Sequence, residues 1–398
     1  MASDLSWAVA RPRWLTSAKR GLFYIFPLLV VFGNMELWLA GSSITLPVAL
    51  LPVAILCVCD LCSHRRLYFS WRALLFFSLS CAILLAGLIS SLAVDWVSLK
   101  RNLVSLLPII GMLAVQYAFR DVSVPLSVRR PLLMAALVLS LSIIACSLWK
   151  LLPILLVAGW AEMMASKGEI ATALGGSNLL AVFIVFFVPF AWVHARWIWA
   201  GLLVALLVTL SKFGLFFFML ATVITVLSRR DSFYYLLGLV GLGMLLVWLL
   251  LMCLPVEYLQ HMDAVPGLGS LVARINLWRL GWELLDANFL YGWGPGGFTS
   301  YQELMLWTRA EWGVHNFILA RWIEFGLLGL VIYIVMILFA FHWVSQLLPA
   351  EDRLLKVSLF VTLLYALFEN VIGVAAFEML FAYGLCLMAA RHSSAYEE

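Results

Sequence analysis

Long apolar runs alternate with short polar connections along most of the chain. A run of roughly 20 apolar residues is long enough to cross the hydrocarbon core of a bilayer as an α-helix. On this criterion the pattern predicts membrane spans at 21–40, 44–62, 73–93, 103–119, 131–157, 177–195, 233–254, 316–342, 355–370 and 373–390.

One apolar stretch, 197–227, is too long for one comfortable span. Ser211, Lys212 and Gly214 interrupt it near its middle. Two short spans meeting at Ser211-Lys212-Phe213-Gly214 bring the total to twelve, and a single span brings it to eleven. Burying a lysine inside such an apolar hairpin costs free energy, so the lysine is usually there to interact with a partner group.

The positions of Lys and Arg favour one of these counts, because basic residues are enriched in cytoplasmic loops. With twelve spans and a cytoplasmic N-terminal tail, 16 of the 25 basic residues lie inside and 7 outside. Eleven spans give 14 inside and 8 outside, which is a weaker asymmetry. We therefore expect an all-α, polytopic integral membrane protein with twelve transmembrane helices and one large outer loop.

The domain organisation follows from this topology. We expect a retained cytoplasmic tail at 1–20, a transmembrane bundle at 21–254 and an outer loop at 255–314. A second part of the bundle at 315–390 and a cytoplasmic tail at 391–398 complete the chain.

Composition supports a membrane protein and excludes several other classes. Of the 398 residues, 65% are hydrophobic and 12% are charged, against about half and a quarter in soluble domains. The net charge of +4, with no basic run interleaved with aromatic residues, argues against a nucleic-acid partner. The seven cysteines lie in or beside apolar runs, so neither a disulfide framework nor a zinc site is expected.

The outer loop carries the densest polar chemistry of the chain. Apolar residues recur there at helical spacing while charged residues occupy other faces, which predicts an amphipathic helix on the membrane surface. The apolar positions are Leu271, Ile275, Trp278, Trp282 and Leu285, and the charged ones are Arg274, Arg279, Glu283 and Asp286. A glycine-rich turn at 291–298 and a second short helix at 301–312 follow. Because no strand precedes the glycines, a dinucleotide fingerprint is excluded.

Three residues are candidates for chemistry. His315 lies where the outer loop re-enters the membrane, and an imidazole there accepts or relays protons near neutral pH. Arg274 and Lys212 supply positive charge at the same face. The structural alternatives are a histidine that caps or anchors a helix at the interface, and an arginine that is a solvated face charge or contacts a lipid phosphate.

Four short motifs follow one another along the chain. They are Asn178-Leu179-Leu180-Ala181, Ser211-Lys212-Phe213-Gly214, Arg274-x3-Trp278 leading to Asp286-x5-Gly292-x-Gly294-Pro295-Gly296, and His315-Asn316-x9-Gly326-x2-Gly329 with Glu324 before the first glycine. Their order resembles the O-antigen ligase superfamily, bacterial membrane enzymes that include ligases and polysaccharide polymerases. The resemblance covers 170–345, whereas the first 150 residues match only by hydropathy.

The resemblance implies a glycosyltransferase of the GT-C type in the bacterial inner membrane, with its active site facing the periplasm. Its donor would be an undecaprenyl-diphosphate-linked glycan, and no cofactor, metal or nucleotide sugar is implied. Arg274 would bind the donor diphosphate, and His315 would orient or deprotonate the acceptor hydroxyl. Lys212 stands where the family usually has arginine, and Phe213 is inserted before Gly214.

Further residues are expected to bind substrate or surround it. Cations drawn from separate segments would clamp the diphosphate and stabilise its departure. Tryptophans of the loop would stack on sugars or form the interfacial aromatic belt. Membrane lipids are further expected partners. The expected substrate-binding residues are Arg279, Arg309, Arg321, Glu324, Trp278 and Asn316.

Two acceptors remain open within the transferase class. A ligase passes the glycan to a lipid A core sugar, and a polymerase passes it to another lipid-linked glycan. The His315 motif favours the ligase. A transporter of lipid-linked glycan and a non-catalytic membrane scaffold are the alternatives of a different class; no internal repeat of the kind common in transporters is present.

Overall fold

Helices dominate the computed structural model of the chain. It describes residues 13–39, 42–63, 70–92, 99–120, 128–165, 171–172, 174–228, 233–265, 268–305, 313–342, 349–369 and 374–389. Within these ranges the strands form two short antiparallel hairpins. This architecture agrees with the expected all-α membrane protein.

The first half of the chain forms eight of these helices. They are α1 Arg13–Val31, α2 Leu50–Ser63, α3 Trp71–Leu92, α4 Leu99–Phe119, α5 Arg129–Ala165, α6 Ser177–His194, α7 Arg196–Thr209 and α8 Lys212–Leu227. The strands are β1 Asn34–Leu39, β2 Ser42–Pro47, β3 Ala171–Thr172 and β4 Gly175–Gly176.

The second half contains short helices between longer ones. The helices are α9 Phe233–Met252, α10 Val256–Asp263, α11 Gly269–Ala287, α12 Gly297–Met305, α13 Phe317–His342, α14 Pro349–Ala366 and α15 Ala375–Ala389. Two long helices contain a break: α5 at Gly159 and α13 at Gly326, both with positive φ.

Five of the described helices are long and apolar enough to cross a membrane. They are Trp71–Leu92, Arg129–Gly159, Ser177–His194, Tyr235–Met252 and Phe317–His342. Shorter apolar helices, including α2, α7, α8 and α15, lie among them. The count of twelve spans is therefore not confirmed.

The first two predicted spans, 21–40 and 44–62, differ from the structure. The first helix begins at Arg13, inside the predicted tail, and ends at Val31. Gly33, with φ of 83°, turns the chain into β1, which pairs antiparallel with β2 so that Asn34 lies opposite Pro47. The prediction of helix at 34–39 and at 44–47 was wrong because hydropathy alone does not distinguish a short apolar strand from a helix.

The long apolar stretch 197–227 contains two helices, α7 and α8. Leu210, in the left-handed conformation with φ of 56°, ends α7. Ser211 then caps α8, because its side-chain oxygen accepts a hydrogen bond from Gly214 N at 3.2 Å. The predicted break at Ser211–Gly214 is confirmed: it is the turn of an αα-hairpin.

Two helices form the centre of the bundle. In α6 every residue from Leu180 to Ala191 is buried, and in α15 every residue from Ala376 to Ala389 is buried. A helix that is apolar on all sides is typical of such a central position. In contrast, few residues of α9 are buried, and Leu239 and Leu250 are 69% and 68% exposed, as expected of a helix that faces lipid.

Polar contacts gather at the two ends of the bundle. At one end, which we call the basic end, Lys19 Nζ lies 2.8 Å from Asp60 Oδ1 and Arg120 contacts Asp60 Oδ2. At the same end Arg353 Nη1 donates to Ser228 O at 2.9 Å. These arginines and Lys19 belong to the set expected to face the cytoplasm.

The opposite end, which we call the site end, is reached along α14 and α15. Helix α14 runs from the basic end at Arg353 to Tyr365, whose hydroxyl lies 3.2 Å from Ser211 Oγ of the hairpin. Helix α15 runs back, and at its end Ala389 O accepts from Ser70 Oγ at 3.3 Å. The hairpin and the outer loop therefore lie at one end of the bundle.

Candidate functional site

A buried carboxylate joins the two main predicted site residues. Glu369 Oε2 lies 2.5 Å from Arg274 Nη2, and Glu369 Oε1 lies 2.7 Å from His315 Nδ1. The side chains of Arg274, Glu369 and His315 are 7%, 6% and 15% exposed. Three segments far apart in sequence thus meet at the site end: α11, the residue before the cap of α13, and the end of α14.

Helix α11 carries Arg274 on its buried face. Val272, Ile275, Trp278 and Leu285 are buried on the same helix, and Arg274 lies among them. The sequence placed this arginine on a polar face instead. The expectation was wrong because amphipathic patterning assigns a charge to solvent unless a partner such as Glu369 compensates its burial.

His315 adopts a strained backbone conformation. Its φ is 49°, in the left-handed region that non-glycine residues rarely adopt. Trp278 Nε1 donates to His315 O at 3.3 Å. Residues held in this way cluster at functional sites, which makes the strain a pointer to function.

Asn316 caps α13 and fastens it to α14. Its Oδ1 accepts from Leu319 N at 3.0 Å, which is the geometry of an N-cap. Its Nδ2 donates to Leu367 O at 2.9 Å. Asn316 is fully buried and joins the residue next to His315 to α14, and its expected contact with substrate stays a prediction.

The α7–α8 hairpin reaches the site through Phe213. The Arg274 Cζ atom lies 4.7 Å from the centroid of the Phe213 ring, a cation–π contact. The same ring stacks on Phe368, the residue before Glu369, at 5.9 Å between centroids. Lys212 is exposed at the first position of α8. The aromatic residue that departs from the family pattern is therefore the one that contacts the arginine.

One nitrogen atom of Arg274 and one of His315 are not used by the contacts with Glu369. Arg274 Nη2 is paired with Glu369, whereas the buried Nη1 atom has no hydrogen-bond partner among the described residues. A buried guanidinium donor left unpaired is costly, and an anion is the ligand that satisfies it best. In the neutral tautomer of His315 that donates from Nδ1 to Glu369, the second ring nitrogen, Nε2, carries the lone pair.

The structure separates Arg321 and Glu324 from this centre. Arg321 contacts Glu378 Oε1, and its Nη1 lies 3.1 Å from Glu324 Oε2. The Arg321 side chain is 1% exposed, so the predicted direct contact with substrate does not fit its position. Burial of this arginine requires paired carboxylates, which α15 and α13 supply.

The glycine-rich turn packs against the break in α13. Ile323 O accepts from Trp293 N at 2.6 Å, and Leu327 N donates to Leu290 O at 3.2 Å. These two groups would bond to each other in an unbroken helix, so the turn replaces one helical hydrogen bond. Gly292 and Gly326 both have positive φ, and a Cβ on either would collide with the other segment's backbone.

The remaining predicted residues are Arg279, Trp278 and Arg309. Arg279 donates to the backbone oxygen of Leu254. Trp278 is fully buried, with its ring 6.3 Å from Trp248 and 5.9 Å from Phe368, so packing replaces the expected stacking on a sugar. Arg309 falls outside the residues that the structure describes.

Glu369 is the site residue that the sequence motifs missed. It is an ionisable residue at the end of an apolar helix, a position that by itself suggests a function. Its two partners lie 95 and 54 positions away, so no local pattern identifies them. Within the described residues, no group of three His, Cys, Asp or Glu side chains is placed to hold a metal ion.

No family model, curated protein or solved structure matches this chain. The function is therefore inferred from the residues of the site and from their resemblance to a known set of motifs.

Proposed function

We propose that this protein is a membrane glycosyltransferase that moves a glycan from undecaprenyl diphosphate to a sugar hydroxyl, in the manner of an O-antigen ligase. The proposal joins the four-motif resemblance to the chemistry of the Arg274–Glu369–His315 centre. The site end would face the periplasm, since the basic residues gathered at the other end are those enriched in cytoplasmic loops.

The observation that carries the proposal is the Nη1 atom of buried Arg274, which has no hydrogen-bond partner in the part of the chain that the structure describes. A diphosphate oxygen satisfies this donor and adds a charge-assisted hydrogen bond. The negative charge on the diphosphate grows as its bond to the sugar breaks, so Arg274 stabilises the transition state more than the bound donor. The exposed Lys212, the residue before Phe213, would add positive charge at the site end.

His315 would act as the general base. The acceptor hydroxyl attacks the anomeric carbon and gives its proton to His315 Nε2, while the carbon–oxygen bond to the diphosphate breaks and undecaprenyl diphosphate leaves with the electron pair. Glu369 bonded to Nδ1 orients the ring and stabilises the imidazolium that forms. The guanidinium of Arg274 would stabilise the leaving group, so this step requires no metal ion.

Two substitutions test this division of roles in purified, folded protein. His315→Ala should leave the affinity for undecaprenyl diphosphate nearly unchanged and lower the single-turnover transfer rate by about 10²- to 10⁴-fold. Arg274→Ala should weaken the binding and slow transfer, and Arg274→Lys should recover only part, because lysine lacks the planar fork.

Matched controls lie elsewhere in the chain. His261 is exposed in α10, and Arg196 is exposed at the start of α7, so His261→Ala and Arg196→Ala should behave as wild type. A wild-type transfer rate in well-folded His315→Ala protein would contradict the proposed base. If His315→Ala fails to fold, His315→Gln provides the same test with smaller packing loss.

A deletion strain distinguishes the acceptors and the transporter alternative. Loss of a ligase leaves full-length glycan on the lipid carrier, with unmodified lipid A core. Loss of a polymerase leaves single repeats. Loss of a transporter leaves lipid-linked glycan in the inner leaflet, and the purified protein would then form no glycosidic bond. The last result would overturn the proposal.

A further inference from the structure

A second buried ionic cluster lies at the site end, between α13 and α15. Arg321 Nη2 contacts Glu378 Oε1, and Tyr333 donates to Glu378 Oε2 at 3.0 Å. Arg321 Nη1 also lies 3.1 Å from Glu324 Oε2. Glu378 is fully buried and the Arg321 side chain is 1% exposed, so neither of these two residues is placed to contact a substrate directly.

An ion pair at such a depth is weak evidence for stability. Well-packed apolar residues of similar size are often as stable as a buried ion pair, and in some proteins such a pair instead specifies one arrangement of the elements that it joins. The element joined here is the first segment of α13, 317–325. The Arg321–Glu378 pair would therefore specify the position of this segment relative to its neighbours.

This segment is not held by helix continuity. At Gly326 the helix breaks, with φ of 68°, and the bond expected between Ile323 O and Leu327 N is replaced by bonds to the glycine turn. Contacts with neighbouring segments therefore set the orientation of the segment, the backbone bond from Trp293 N to Ile323 O at one end and side-chain bonds along the rest. His315 and Asn316 attach its start to α14, and Arg321 attaches its middle to α15.

We propose that Glu378, acting through Arg321, is a positioning residue that sets the direction of His315 toward the acceptor hydroxyl. The proposal rests on the proposed function, because it assigns His315 to the transfer step. Without the Arg321–Glu378 pair, the segment 317–325 would pivot about Gly326. His315, two residues before the segment, would then move while Arg274 on α11 stayed in place.

The first test separates transfer from donor binding. Glu378→Gln should lower the single-turnover transfer rate by about 10- to 100-fold, the loss typical of a small misplacement of a reacting group. Binding of undecaprenyl diphosphate should stay at the wild-type level, because Arg274 is not displaced. Lipid-linked glycan extracted from the deletion strain serves as donor in the rate measurement.

Asp60→Asn is the matched control. Asp60 is fully buried at the basic end and, like Glu378, pairs with a buried arginine, Arg120. Its neutral variant should lose thermal stability to a similar extent and keep the wild-type transfer rate. Equal falls in rate for Asp60→Asn and Glu378→Gln would show that Glu378 has only a general structural role, which contradicts the proposal.

A double-mutant cycle identifies the group through which Glu378 acts. In a His315→Ala background, Glu378→Gln should cause no further loss of rate, because the positioned group is already absent. Fully additive losses would overturn the positioning role while leaving the catalytic role of His315 intact. If His315→Ala alone has no effect on the transfer rate, the proposed function fails. This outcome differs from both the non-additive and the additive loss of rate.

Milder variants keep the test available if Glu378→Gln does not fold. Tyr333→Phe removes one hydrogen bond to Glu378 without leaving an unpaired charge. It should give a smaller fall in transfer rate with unchanged donor binding. Glu378→Asp keeps the charge and should recover part of the rate lost in Glu378→Gln. A wild-type transfer rate in folded Tyr333→Phe protein would contradict the proposal.

Discussion

The ring of Phe213 faces the guanidinium of Arg274, with Arg274 Cζ 4.7 Å from the ring centroid. Phe213 belongs to the α7–α8 hairpin and Arg274 to α11, 61 positions away along the chain. The contact therefore links the membrane hairpin to the outer loop and orients the arginine that we assign to the donor diphosphate.

Replacing Phe213 tests the importance of this contact. Phe213→Leu should weaken undecaprenyl diphosphate binding by about five-fold, because a cation–π contact contributes about 1 kcal/mol. Phe216→Leu is the control, since Phe216 lies on the same helix and is 51% exposed. Equal affinities of the two variants, measured in nanodiscs, would show that Phe213 does not orient Arg274.

Loss of Glu369 should destabilise the protein as well as inactivate it. Glu369→Ala leaves Arg274 buried without its ion-pair partner, so the free energy of unfolding should fall by about 3–5 kcal/mol. The double variant Arg274→Met/Glu369→Met should recover much of this stability. Unfolding in mixed micelles measures both, and Glu257→Ala in α10, where the side chain is exposed, is the control.

A further prediction concerns the break in α13. Gly326→Ala should cost more than about 2 kcal/mol, because φ is positive there and a Cβ would overlap the carbonyl oxygen of Leu290. Gly238→Ala in α9 is the matched control, since nothing lies within 4 Å of its Cβ position. It should be neutral or slightly stabilising. Thermal melting in detergent compares them, and equal melting temperatures would contradict a structural need for glycine.

Cysteine labelling tests the orientation of the bundle. In a variant stripped of the seven native cysteines, Thr299→Cys in α12 should react with an impermeant reagent added from the periplasmic side. Ser63→Cys, exposed at the end of α2, should react only after the cytoplasmic side is opened. The reverse pattern would invert the topology and place the proposed site on the wrong face.

The amino-acid sequence by itself determined the features that depend on local pattern. Runs of apolar residues predicted the helices, and Ser211 with Gly214 marked the turn between α7 and α8. The helical spacing of Leu271, Ile275 and Trp278 predicted α11. Each of these follows from side chains within one or two helical turns, so neighbouring residues contain the information.

The tertiary structure decided which charges meet. Arg274, patterned as a surface charge, is buried because Glu369 reaches it from the end of α14. Arg321, which was expected to bind the substrate, forms an ion pair with Glu378 of α15. The strand hairpin at 34–47 and the break at Gly326 likewise depend on segments that pack against them. Hydropathy treats each residue alone, whereas burial of a charge depends on a partner that only the packed fold brings within reach.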